Sequence, residues 1–137
     1  QHVAAEMGAR FKRERPAWPA LALTTNTSSL TAIGNDYAYD DVFSRQVEAF
    51  AAEGDVVIGI STSGKSPNVI RAMKTAREMG LVTISIAGAD KTLSEYSDIL
   101  FAVSQGITPR IQEVHIFLGH MLCDLTDRIL YADKYED

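Results

Sequence analysis

Cysteine is almost absent from this sequence: Cys123 stands alone inside an apolar run. One thiol closes no disulfide within the chain and excludes a cysteine-built zinc site. A reducing compartment, the cytoplasm, is therefore expected. Long apolar runs are missing as well. No stretch approaches the roughly 20 residues that cross a bilayer, and no secretory signal pattern is visible. Positive charge is scarce: 13 Lys and Arg stand against 18 Asp and Glu, a net charge of -5. A groove that tracks a nucleic-acid backbone needs clustered cations, so neither nucleic acid nor a membrane is an expected partner. A small anion stays open, because backbone dipoles at a helix start can hold one even in an acidic protein. The opening residue is Gln1 rather than Met, and a further N-terminal segment is expected.

What is present is ordinary for a globular domain: 137 residues, 46% hydrophobic and 23% charged. That length suits one domain with one core. Val3, Met7 and Phe11 recur at helical spacing, predicting a helix that ends before Pro16. Pro19–Thr24 is a short strand candidate, and Thr25–Ser29 can cap a helix through Ile33. Gly34-Asn35-Asp36 signals a turn, and Val42–Ala52 an amphipathic helix stopped by Gly54. Asp55–Ile60 is rich in β-branched residues and predicts a strand covered on both faces. Pro67 opens a helix to about Met79; Leu81–Ala87 and Asp98–Val103 are further strands, with a polar loop and one helical turn between them. Gln105–Arg110 is a linker, Ile111 to about Tyr131 a long apolar helix, and Tyr131–Asp137 a tail expected to fray. Strands alternating with helices define an α/β fold, a three-layer αβα sandwich around a parallel sheet.

Ser61-Thr62-Ser63-Gly64-Lys65-Ser66 lies where a buried strand gives way to a helix. Ligands of open α/β sheets bind beyond the carboxyl ends of strands. Helix-start N–H groups and the helix dipole favour an anion there. Gly64 permits close approach or a positive φ. One capping serine would need no further account, but Ser61, Thr62, Ser63 and Ser66 put four hydroxyls in six residues, which favours phosphate. The loop lacks the frame of a Walker motif.

Two polar sets flank this loop, one at each end of the chain. His2 and Glu6 are four apart and share a helix face. They suit either one cation or an ordinary polar pair. Gln112, Glu113, His115 and His120 fall on the final helix, and both histidines lie within about 80° of Gln112. Periodicity does not choose between them, and a lone histidine on an apolar helix is usually a core residue. Mixed imidazole, carboxylate and amide oxygen donors suit zinc better than calcium or magnesium.

Four blocks carry a resemblance: QHVAAEMGARF, TAIGNDYAYDDVFSRQVEAF, GDVVIGISTSGKSPNVI and PRIQEVHIFLGHML. Together, in this order, they resemble the phosphoheptose isomerases of the sugar isomerase (SIS) domain family, with its Rossmann-like fold. The resemblance spans almost the whole chain as a single SIS domain, residues 1–137. It implies aldose–ketose isomerisation of sedoheptulose 7-phosphate to D-glycero-D-manno-heptose 7-phosphate, through an enediolate, toward lipopolysaccharide and related glycans. It further implies one zinc per site on His2, Glu6, Gln112 and His120, with Glu6 and His120 as the acid/base pair. Substrate contacts implied are Glu6, Asn35, Asp36, Ser61, Thr62, Ser63, Ser66 and Gln112, and His115 becomes a supporting residue. A homotetramer is implied too. The family's Gly-Asn-Gly-Gly-Ser loop, with a strand and helices, is expected before Gln1. Lys65 stands where Asn is expected, and Pro109 where some members carry an acid. The same wider family holds non-enzymatic regulators of replication initiation and phosphosugar sensors. Retention of His2, Glu6 and His120 favours the enzyme over both.

Overall fold

Asp55 stands just before the first strand. In the computed structural model, which describes residues 1–132, the β-branched run after it forms β1, Val56–Ser61. Helix α1 (His2–Gly8), helix α2 (Thr27–Asp36), a 3-10 turn at Tyr39–Asp41 and helix α3 (Ser44–Phe50) precede it. Then come α4 (Pro67–Glu78), β2 (Val82–Ala87), a 3-10 turn at Thr92–Tyr96, β3 (Ile99–Ala102) and α5 (Thr108–Leu130). The three strands are parallel in the order β1-β2-β3. The alternation of strands and helices thus gives the expected α/β sheet with flanking helices. The expected fraying of the tail falls on Asp133–Asp137, which lie outside the described residues.

Register sorts the side chains into two sets of rows. Ile58, Ile84 and Ile99 align across the sheet, as do Ile60, Ile86 and Phe101. The other face carries Val57, Gly59, Thr83, Ser85, Ala87 and Leu100, and here the core sits: Met73 of α4, Ala87 and Leu93, with Val57, Val69, Ile70, Tyr96 and Leu100 packed against them. Gly59 suits this contact, because a Cβ there would lie 2.6 Å from Met73 Sδ and push the Met73 side chain aside. Cover on both faces holds for the middle of β2, where Thr83, Ser85 and Ile86 are buried. It does not hold for β1, whose Val56, Ile58 and Ile60 are exposed. As an edge strand of the described sheet, β1 is packed by α4 on one face only.

The elements differ from the sequence pattern in four places. The first helix ends at Gly8, so Phe11 lies beyond it and the expected run toward Pro16 is not helical. The Pro19–Thr24 candidate forms no strand; Pro19 removes a ladder donor, and the chain turns as Thr25 N–H donates to Ala22 O. Asn26 caps α2 by accepting from Ser29 N–H, and Asn35 and Asp36 complete the last turn of α2 instead of forming a free turn. The expected linker shortens because α5 starts at Thr108, with Pro109 in its first turn.

The described residues divide into two compact units. Asn26–His115 hold the sheet; Gln1–Thr25 and the described residues from Ile116 onward form the other unit, so α5 belongs in part to each. In the terminal unit, α1 meets α5 where Gly119 lies under Val3. A Cβ on Gly119 would come within 2.7 Å of Val3 Cγ2. An ion pair of Arg15 with Asp127 is buried in the same unit, with both side chains 2% exposed.

Candidate functional site

The terminal unit brings together three donors far apart in sequence. His2 and Glu6 lie one turn apart on α1, with His2 Nε2 3.7 Å from Glu6 Oε1. His2 Nε2 also sits 2.7 Å from His120 Nε2. One atom from each of the three residues falls within 4.8 Å of the others. At 2.7 Å one imidazole donates to the other, or both turn lone pairs toward one cation. Phe11 lies against His120, ring centroids 5.2 Å apart, and shields one side. Two imidazoles and a carboxylate are the donor set of catalytic zinc sites, which keep a further position open. The residues present therefore fit zinc. Spacing alone left His115 and His120 equivalent; the geometry chooses His120. His115 is buried, and neither of its ring nitrogens has a partner among the described residues.

The central unit holds the serine loop. Ser61 Oγ lies 2.9 Å from Ser66 Oγ and 3.4 Å from Ser63 Oγ. Lys65 N–H donates to Ser63 Oγ, and Gly64 N–H to Ser61 O. Gly64 takes a φ of +70°, the left-handed region where other residues are strained. Ser66 begins α4 without spending its hydroxyl on a cap, and Pro67 follows. Three hydroxyls thus converge at the start of a helix, where its dipole is positive. Thr62 is half-buried in the same loop. Such a loop can accept a phosphate, with hydroxyl donors and a favourable dipole.

The loop is braced from behind by the segment after β2. Gly88 N–H donates to Ser61 O, and a Cβ on Gly88 would lie 2.1 Å from Thr62 O. A Cβ on Gly64 would lie 2.8 Å from Asp90 O. Lys65 Nζ pairs with Asp90 at 3.1 Å. The Thr92 hydroxyl, then the Thr92 N–H, then Lys65 pull the Asp90 carboxyl down to about 2. Lys65, expected either to add charge or to point to water, is held by this carboxylate. The sequence reading missed Asp90 and Gly88. The signal was there: Gly88-Ala89-Asp90-Lys91-Thr92 follows β2 at the same sheet end and has the Asp-x-Thr pattern of an Asx turn.

Three other expected residues are Asn35, Asp36 and Gln112. Asn35 Nδ2 donates to Asp36 Oδ1 at 2.8 Å, an exposed pair at the end of α2. Gln112 is exposed on α5 in the central unit. Beside His120, a pocket of about 280 Å³ is lined by Phe11, Lys12, Phe117, Met121 and Asp124. Cys123 is fully buried, and that burial, with Glu6 next in importance, pushes its thiol up.

Comparison with known proteins defines the class first. A family model described as the SIS domain matches residues 1–88. Among curated proteins, a phosphoheptose isomerase of Nitratidesulfovibrio vulgaris is 55% identical over 97% of this chain and 64% of its own length. One from Clostridium acetobutylicum is 50% identical over 100% of this chain and 70% of its own. A solved phosphoheptose isomerase from Francisella tularensis superposes with a TM-score of 0.87 at 34% identity, covering 93% of this chain and 69% of that one. A second, from Neisseria gonorrhoeae, gives 0.80 at 49% identity, over 92% and 67%. The chain belongs to the phosphoheptose isomerase family of SIS-domain proteins. It spans about two thirds of the length of these relatives.

Proposed function

We propose that the protein isomerises sedoheptulose 7-phosphate to D-glycero-D-manno-heptose 7-phosphate, an early step toward the activated heptose of lipopolysaccharide and related glycans. The observation that carries this reading is the convergence of His2, Glu6 and His120 within 4.8 Å, in a chain of the phosphoheptose isomerase family.

The reaction moves one proton between C1 and C2 and another between their oxygens, with no net oxidation. Glu6 takes the C1 proton of the ketose and returns it to C2 of the enediol. His120 relays the proton between O2 and O1. Each residue has two titrating or ligating atoms, so one atom can hold a cation while the other handles a proton. His2 orients His120 through their nitrogen contact. Zinc, when bound, supplies positive charge that stabilises enediolate oxygens. Gln112 completes the proposed ligand set on family likeness. Ser61, Thr62, Ser63 and Ser66 hold the substrate phosphate, and Asn35 and Asp36 its hydroxyls. The reading treats the chain as one SIS domain of a homotetramer in the cytoplasm. Among the described residues, no helix is long and apolar enough to cross a membrane.

The test is a coupled turnover assay with sedoheptulose 7-phosphate on the protein at its relatives' full length. Aldose product is expected with zinc, and loss of it on chelation. No turnover in the presence of zinc overturns the reading.

A further inference from the structure

Arg15 is buried, and its guanidinium makes four bonds in four directions. Nε donates to Asp127 Oδ1 at 2.6 Å. Nη1 donates to Met7 O at 2.9 Å and to Pro16 O at 3.1 Å. Nη2 donates to Glu6 O at 2.9 Å. The Trp18 ring lies against its face, 4.8 Å from the guanidinium carbon. Trp18 is itself fixed, donating from Nε1 to Tyr131 Oη at 2.8 Å.

These bonds answer a question posed by α1. At seven residues it is too short to be stable alone, and no side chain caps its start. Its last carbonyls need partners. Ala5 O is met by Ala9 N–H, and Glu6 O and Met7 O by Arg15. A cation at this end also suits the negative pole of the helix. Asp127 belongs to α5, the helix that carries His120.

A buried ion pair is weak support for stability, since apolar replacements often do as well. This one even leaves Asp127 Oδ2 without a partner among the described residues. Lysine in place of Arg15 could not make the fork, because it offers a point charge instead of a rigid plane of donors.

We infer that Arg15 and Asp127 are positioning residues: they fix the C-terminal end of α1 onto α5 and so set Glu6 and His2 against His120. The backbone carbonyl of Glu6, the residue proposed as base, is one of the atoms held. The inference rests on the proposed zinc-isomerase reading for its consequence in activity, while its structural claim stands apart from zinc.

The test uses the full-length protein and three variants: Arg15→Lys, Asp127→Asn, and the apolar double replacement Arg15→Met with Asp127→Leu. Hydrogen exchange on metal-free protein is expected to show Ala5–Gly8 amides losing protection at least tenfold in Arg15→Lys and in the double variant, with α4 and β2 unchanged. Zinc affinity, read by competition with a chromophoric chelator, is expected to fall about 10–100-fold. Turnover is expected to lose kcat with KM for the sugar phosphate within about twofold. The double variant guards against misfolding, because it leaves no buried charge unpaired. Unchanged α1 protection in folded Arg15→Lys and double variants overturns the inference. Parental zinc affinity in those folded variants overturns it as well. A parent protein that binds no zinc overturns the metal reading instead, and the exchange result then decides this one.

Discussion

Ser61, Ser63 and Ser66 meet within six consecutive residues, whereas His2 reaches His120 across a separation of 118. The two clusters differ accordingly in what holds them. The serine loop is shaped by its own backbone, by a glycine at positive φ, and by the Gly88–Asp90 segment at the neighbouring strand end. The His–Glu–His trio exists only while a seven-residue helix stays seated on α5. Local geometry survives modest destabilisation; geometry closed over a long loop is lost with tertiary packing. On the proposed reading, an anion is expected to be held still when proton transfer has already failed.

The largest effect on this contrast is expected from Glu6→Gln, which removes a proton acceptor and keeps the shape. We expect kcat to fall by about 10²–10⁴ with little change in KM, read from initial rates. Next is Arg15→Ala, which leaves Asp127 buried and unpaired. A loss of about 3–5 kcal/mol in chemical denaturation is expected, with phosphate protection of the serine loop outlasting the zinc site. Equal loss of both would break the comparison. Ser66→Ala removes one hydroxyl aimed at a dianion, and should raise KM by about 10–100-fold while kcat holds, since bonds to charged groups are worth about 1.5–3 kcal/mol. Gly88→Ala forces a methyl toward Thr62 O and should cost about 1–3 kcal/mol in melting experiments, with KM hit harder than kcat.

The smallest effect is a titration. Because the Asp90 carboxyl is depressed from 3.8 to about 2, its contribution to loop stability is fully present above 3.8 and is lost as pH falls through about 2. Removing the leading cause with Thr92→Ala should move its NMR titration midpoint back toward 3.8, with no change in the loop at neutral pH. A midpoint that stays near 2 would mean that Lys65 matters more than Thr92.

Much of the architecture was legible because β-branched runs and glycine stops are local signals. Val56–Ser61, Pro67–Glu78 and Val82–Ala87 each fall within a residue or so of their pattern. Pro19–Thr24 misled because an apolar run says nothing about whether a partner strand lies alongside it. The exposed Val56, Ile58 and Ile60 misled for the same reason: a sequence shows that a face is apolar, not what covers it. In the site, hydroxyl density exposed the serine loop. Helical spacing did not tell His120 from His115; the family resemblance pointed to His120, and the geometry sets it beside His2 and Glu6. Arg15 and Asp127 left no pattern, because an Arg and an Asp 112 residues apart are common in any chain.

The close packing behind the serine loop also limits how this protein can change. Gly59, Gly64 and Gly88 each face a neighbour within 3 Å of where a Cβ would stand. At Gly64 and Gly88 that neighbour is backbone, so a side chain there forces the loop itself to shift, whereas at Gly59 it is the Met73 side chain. A laboratory library that randomises exposed loop residues such as Ser63 and Lys65 and keeps Gly64 and Gly88 avoids both backbone clashes.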